Sequence, residues 1–269
     1  MACCFIQHIV YRIIANFIGN IFFMGIVYEF GRYYRLIGRS FGKPEKWSIY
    51  RKRIFTEIDN LGIGSLGIVA IISLFMGAVV TIQMAYNIES PLIPVYAVGV
   101  AARDGLILEF APTLVSLILA GKVGSNIASE IGTMRVSEQI DALEIMGINS
   151  AGYLIFPKIV AAVIINPFLI AISMFLGILG GYVFGTLTGV VTDYAYMAGI
   201  QYDFRPYNVV YALIKTAFFA FIITSVSAYH GYYTNGGALE VGQSSTRAVV
   251  YSSIVILICN FILTQLLLS

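Results

Sequence analysis

Five long apolar runs, separated by short polar stretches, organise the chain. From Leu61 to Tyr86 there is no charged residue. About 20 apolar residues suffice for a helix to cross a bilayer, so this run predicts the first secure span. A second span is predicted from about Gly105 to Ala128. Residues 153–189 form a run too long for one upright helix, and Pro167 predicts a kink, with tilt absorbing the rest. The fourth and fifth spans are predicted at about Tyr207–Tyr229 and Arg247–Leu268. Between them, residues 87–104 (Glu89, Pro91, Pro94, Arg103, Asp104) read as a short outer segment. Asp193, Asp203, Arg205 and Pro206 mark a second one. Residues 133–147 are polar enough to leave the membrane, and 231–246, with Gly231, Gly236, Gly237 and Glu240, read as a cytoplasmic loop.

The first 53 residues follow a different pattern. Aromatic residues (Phe22, Phe23, Tyr28, Phe30, Tyr33, Tyr34) precede a basic stretch. This predicts a helix in the membrane interface, rings at headgroup level and Arg/Lys reaching water. A true span across residues 13–31 is the alternative, and Asn16, Asn20 and Glu29 interrupt it. The segment lacks the short basic head and small-residue cleavage site of a secretory signal peptide. The expectation is an all-α integral membrane protein. An N-terminal amphipathic interfacial region (1–54) precedes a single membrane domain (55–269) of five transmembrane helices, with no detectable repeat.

Composition supports this class. Of 269 residues 59% are apolar and 11% charged, whereas soluble domains carry roughly 25% charged residues. Disorder is excluded by the same figures. The net charge of +2 gives no reason to expect nucleic acid, yet nine of the 16 Lys and Arg residues precede residue 54. The positive-inside rule then places that end, and the 231–246 loop, in the cytoplasm, and residues 87–104 and 190–206 outside. Three cysteines (Cys3, Cys4, Cys259) at no metal-ligand spacing support neither a disulfide framework nor a metal site.

Candidate chemistry is sparse. Gly62-Ile63-Gly64-Ser65-Leu66-Gly67 matches a dinucleotide-binding pattern, but it lies inside a span with no preceding strand. No phosphate-binding loop, HExxH or GxSxG element occurs, so no catalytic residue is assigned. Gly177, Gly181, Gly185 and Gly189 recur every four residues, predicting one helix face for close backbone packing. Ala120, Gly124, Ala128 and Gly132 repeat the spacing. Glu109 falls about 7–8 Å deeper than Asp104 along a helix. A carboxylate facing lipid there is costly, up to about 2.5–3.5 kcal/mol at mid-membrane. Glu109 is therefore expected in a cavity or paired, with Lys215 as the obvious opposite charge; a structural ion pair is the alternative. Residues 133–147 predict a short amphipathic helix, capped by Thr133 and Gly147. Val136, Ile140 and Leu143 form its apolar stripe, with Glu138, Asp141 and Glu144 off it. Such a helix can dock in a partner's groove or remain a solvated loop helix.

Several blocks closely resemble the MlaE-type permease family: Glu109-Phe110-Ala111-Pro112, Ala120-Gly121-Lys122-Val123-Gly124-Ser125, Glu130-Ile131-Gly132-Thr133-Met134, Glu138 to Glu144, and Met146-Gly147. Pro157-Lys158, Gly180-Gly181, Leu213-Ile214-Lys215, Gly231-Tyr232, Val241-Gly242 and Thr246-Arg247 add to the match, which covers roughly residues 55–269. The resemblance implies the permease subunit of an ATP-binding cassette transporter moving phospholipid between the two membranes of a Gram-negative envelope, located in the inner membrane. It implies a homodimer, two cytoplasmic ATPase subunits that hold ATP and Mg, a periplasmic ring of MCE-domain subunits, and no cofactor in this chain. Residues 133–147 then correspond to the coupling helix, with Glu138, Ile140, Asp141, Leu143 and Glu144 toward the ATPase, and Glu109 and Lys215 to a lipid cavity at the dimer interface. The chain departs from the family at Leu108, where many members have Arg. An intramembrane lipid enzyme and a scaffold anchoring an ATPase are the competing functions.

Overall fold

The computed structural model describes residues 27–42, 47–88 and 94–268. Residues 27–40 form α1. The other helices are α2 (Trp47–Asn87), α3 (Tyr96–Val136), α4 (Gln139–Ile145), α5 (Ser150–Leu187), α6 (Asp193–Gln201), α7 (Pro206–Tyr232) and α8 (Ala238–Leu268). Among the described residues there is no strand, and α2, α3, α5, α7 and α8 are long and apolar enough to cross a membrane. The five expected spans are all present. α1, α4 and the α7–α8 turn share one end of the bundle, here called the basic end; α6 lies at the other. Residues 1–26, which hold most of the alternative 13–31 span, lie outside the described residues.

Helix ends differ from expectation because hydropathy reports only the lipid-facing part of a helix. α2 begins at Trp47 and runs 41 residues, about 61 Å at 1.5 Å per residue. Its first turns carry Arg51, Lys52, Arg53, Glu57 and Asp59 beyond the apolar run. α8 likewise starts at Ala238, so most of the loop expected over 231–246 is helical. Arg103 and Asp104, expected in an outer loop, lie inside α3. Arg103 is buried; it pairs with Asp104 (2.9 Å) and donates to the carbonyls of Ile200 (2.7 Å) and Tyr202 (2.8 Å), tying α6 to α3.

α5 runs unbroken through Pro157 and Pro167. A proline lacks the amide that would bond the carbonyl four residues earlier. For Pro157 that carbonyl is Tyr153 O, and the Arg53 guanidinium donates to it at 3.1 Å while lying over the Tyr153 ring. The helix thus continues because a side chain from α2 replaces the missing donor.

α2 and α5 pack backbone to backbone. A side chain at Gly77 would overlap the Gly177 carbonyl, and one at Gly180 the Leu74 carbonyl. Gly181 is closed in by Thr81 and Tyr196, and Gly185 by Thr81. Ser73 Oγ bonds Ser173 Oγ across the seam at 2.7 Å. Gly189 does not belong to this face. The helix ends at Leu187, and Gly189 takes a positive φ of 69° with open space around it, so it terminates α5.

α1 rests on the basic end. Tyr33 Oη bonds Ser225 Oγ (2.8 Å), and Asn149 Nδ2 donates to Arg39 O (2.8 Å). Tyr28, Phe30 and Tyr34 stay exposed.

Candidate functional site

α3 is not a regular α-helix: Leu106–Leu114 and Ala120–Gly124 are π-helical. Single π turns inside α-helices are rare and concentrate at functional positions. Glu109 lies in the first stretch. Pro112, three residues on, removes the amide that an α-helix would offer to Leu108 O. Lys215 of α7 donates to that carbonyl at 3.3 Å and to Glu109 Oε1 at 2.8 Å. One cation therefore satisfies both the carboxylate and the carbonyl released by the proline.

A polar socket surrounds the pair. Thr264 Oγ1 donates to Glu109 Oε1 (3.1 Å), and Asn260 Nδ2 to Oε2 (3.2 Å). Thr113 Oγ1 lies 3.3 Å from Oε2. Tyr211 Oη sits 3.1 Å from Lys215 Nζ and 3.0 Å from Thr264 Oγ1. The Lys215 side chain is 0% exposed, that of Glu109 40%. Lys215, expected on a cavity wall, is thus enclosed behind Glu109. The face open to a bound molecule is the carboxylate with its amide and hydroxyl neighbours. Asn260, Thr264, Tyr211 and Thr113 were not singled out in the sequence. The signal was the i, i+4 spacing of polar residues in otherwise apolar runs, at 211/215 and 260/264.

At the basic end, the helix expected over 133–147 is two pieces. α3 ends at Val136, Glu138 takes a left-handed conformation (φ 58°), and α4 begins at Gln139. The expected stripe faces inward: Ile140 is fully buried and Leu143 packs on the bundle's own core. Ile140 is enclosed and Leu143 partly buried, because a short helix lying on the bundle turns its apolar side toward it. Asp141 pairs with Arg135 (2.5 Å). Glu144 accepts from Ser150 Oγ (2.8 Å) and Tyr232 Oη (2.9 Å). These bonds, Ser150 first, hold its carboxyl below the usual carboxylate range. The outward surface comprises Glu138, Gln139, Ala142, Glu144, Ile145 and Met146.

A third buried cation, after Arg103 and Lys215, lies toward the basic end. Lys158 of α5 bridges Glu57 of α2 (2.7 Å) and Glu130 of α3 (2.8 Å), fastening three helices with one ammonium. Among the described residues no group of three or more His, Cys, Asp or Glu could hold a metal ion.

Comparison with known proteins matches residues 54–266 to the family described as Permease MlaE. A probable ABC transporter permease protein of Rickettsia bellii is 39% identical over 218 residues, covering 81% of this chain and 84% of that one. The chloroplastic protein TRIGALACTOSYLDIACYLGLYCEROL 1 of Arabidopsis thaliana is 34% identical over 225 residues, covering 82% and 63%. The intermembrane phospholipid transport system permease protein MlaE of Haemophilus influenzae is 30% identical over 238 residues, covering 87% and 89%.

Proposed function

The chain belongs to the MlaE permease family of ATP-binding cassette transporters, and from that premise we propose that it carries phospholipid between the inner and outer membranes. In this reading it sits in the inner membrane with its basic end in the cytoplasm. Two copies pair, each bound by a cytoplasmic ATPase subunit that holds ATP and Mg, and the far end meets a periplasmic MCE-domain ring. The observation that carries the reading is Glu109: a partly exposed carboxylate inside an apolar bundle, paired with and oriented by an enclosed lysine. Such a group has no structural need to remain open, and it offers an acceptor to the polar headgroup of a lipid whose chains stay in the bilayer.

α4 serves as the coupling element. Its contact surface is Glu138, Ile145 and Met146, which are exposed, rather than Ile140 and Leu143. Asp141 and Glu144 act as positioning residues that seat α4 on the bundle, so a push on α4 reaches α3 and α7 directly.

The test is ATP-driven movement of a fluorescent phospholipid by the complex in vesicles. Glu109→Gln should leave the complex assembled and slow movement by about tenfold, the worth of one charge-assisted hydrogen bond of ~1.5 kcal/mol or more. Glu138→Arg should release the ATPase or uncouple hydrolysis. Full transport by both variants rejects these assignments.

A further inference from the structure

The second π-helical stretch of α3, Ala120–Gly124, carries Lys122, and the reading above gives that residue no task. Arg103, Lys158 and Lys215 each hold a carboxylate. Lys122 is exposed and has no carboxylate within ion-pair distance among the described residues; its ammonium donates to the Gly64 carbonyl of α2. Asn126, one turn on along the same face, is exposed too, and its amide has no hydrogen bond among the described residues. Space is open on both sides, since a side chain at Gly64 or Gly121 would meet no atom within 4 Å.

The depth of Lys122 follows from packing. Gly231, in the last turn of α7, lies against Ala128 of α3. Lys122 is six residues before Ala128, about 9 Å deeper. α7 spans 27 residues, about 40 Å, close to a bilayer with its headgroups. Lys122 therefore sits near the boundary of headgroups and hydrocarbon on the basic side. Running inward from Gly64, α2 presents Ile68, Ile71 and Phe75 at helical spacing, 40%, 63% and 56% exposed. This surface thus has a cation and an amide near headgroup depth, with exposed apolar side chains of α2 leading from them toward mid-membrane.

The geometry points to Lys122 and Asn126 as a binding site for the phosphate of a phospholipid from the basic-side leaflet, its acyl chain lying along α2, separate from the socket around Glu109. Thirteen residues, about 20 Å of helix, separate the two charges. The same helix thus offers the headgroup an entry station and a deeper one, each built on a π turn. The inference rests on the chain being a phospholipid carrier.

The test uses the full-length chain in nanodiscs of mixed phosphatidylcholine and phosphatidylglycerol, with a photoreactive diazirine on the phosphatidylglycerol headgroup. A diacylglycerol bearing the same diazirine and no phosphate is the control. Phosphatidylglycerol should label the peptide around Lys122 and Asn126, and the control should not. Lys122→Met should reduce labelling by about tenfold, and Lys122→Arg should restore it. Equal labelling in Lys122→Met overturns the site. Displacement by excess inorganic phosphate shows a site for soluble phosphate, and a chain-to-chain crosslink in place of lipid shows a surface covered by a second copy; either overturns the lipid assignment. Loss of transport in Glu109→Gln with labelling intact leaves this inference standing, whereas lost labelling in wild-type protein that transports normally overturns it alone.

Discussion

The α2–α5 seam and the α3–α7–α8 corner are both buried in one bundle, yet they are held by opposite means. Along the glycine stretch of the seam, Gly77 lies against Gly177 and Gly180 against Leu74, with Ser73 and Ser173 as the polar contact; the charged contacts between the two helices, Lys158–Glu57 and Arg53–Tyr153 O, lie nearer the basic end. At the corner, an ion pair, an amide and hydroxyls hold three helices around a proline-interrupted π stretch. Close packing has one arrangement and resists being deformed. A polar network can exchange partners with a bound molecule at modest net cost. The difference assigns frame to one region and work to the other, and it predicts how each responds to damage.

The largest effect belongs to the seam. Gly77→Leu drives a side chain into the Gly177 backbone, where no rotamer relieves the clash. Overpacking costs typically about 1–3 kcal/mol when neighbours can shift, and here the neighbour is main chain. The variant should fail to accumulate in the membrane, as read by expression and size-exclusion profile. Normal yield would show that the seam is not the frame.

Next comes the corner's enclosed cation. Lys215→Met strands Glu109 and Leu108 O without their shared donor. Breaking a buried pair costs about 3–5 kcal/mol, less here because Glu109 is partly open. Thermal stability of the detergent-solubilised protein should fall, and adding Glu109→Gln should recover much of the loss. A double variant no better than the single one would show that the two residues do not act as a pair.

The smallest effect is one of pH. The Glu144 carboxyl is held below the usual carboxylate range by Ser150 and Tyr232. Its ionised form therefore stabilises α4 against the start of α5 and the end of α7 above that range, and the stabilisation is lost as pH falls through the lowered value. Hydrogen exchange at α4 and the end of α7 should quicken on acidification. It should not do so at Gly77 and Gly177, which meet through main-chain atoms. Glu144→Gln should abolish the pH dependence.

The sequence carries these two regions unequally. Runs such as Leu61–Tyr86 show where chain meets lipid, so the five spans are readable from hydropathy alone. Trp47–Asn60 and the first turns of α8 are helical outside that environment, and their polar residues hide it. Glu109 and Lys215 stand out because a charge in an apolar run demands a reason. Asn260 and Thr264 do not, because neutral polar side chains in a span are tolerated and their partner, Glu109, lies 151 and 155 residues away. The repeat of small residues announces a packing face, but only the break after Leu187 separates Gly189 from it. Amphipathicity identifies α4, while its apolar stripe turns out to bind the bundle itself.

The proline at 112 has a biosynthetic consequence. It leaves α3 dependent on a donor from α7, and that donor follows Glu109 by 106 residues. At roughly 5–20 residues per second, ribosomes take on the order of 5–20 s to supply it. During that interval the nascent α3 carries a carboxylate whose lysine partner has not yet been made. It therefore requires a protected, hydrated place beside the insertion machinery until α7 emerges, and the corner closes last although its first half is made early.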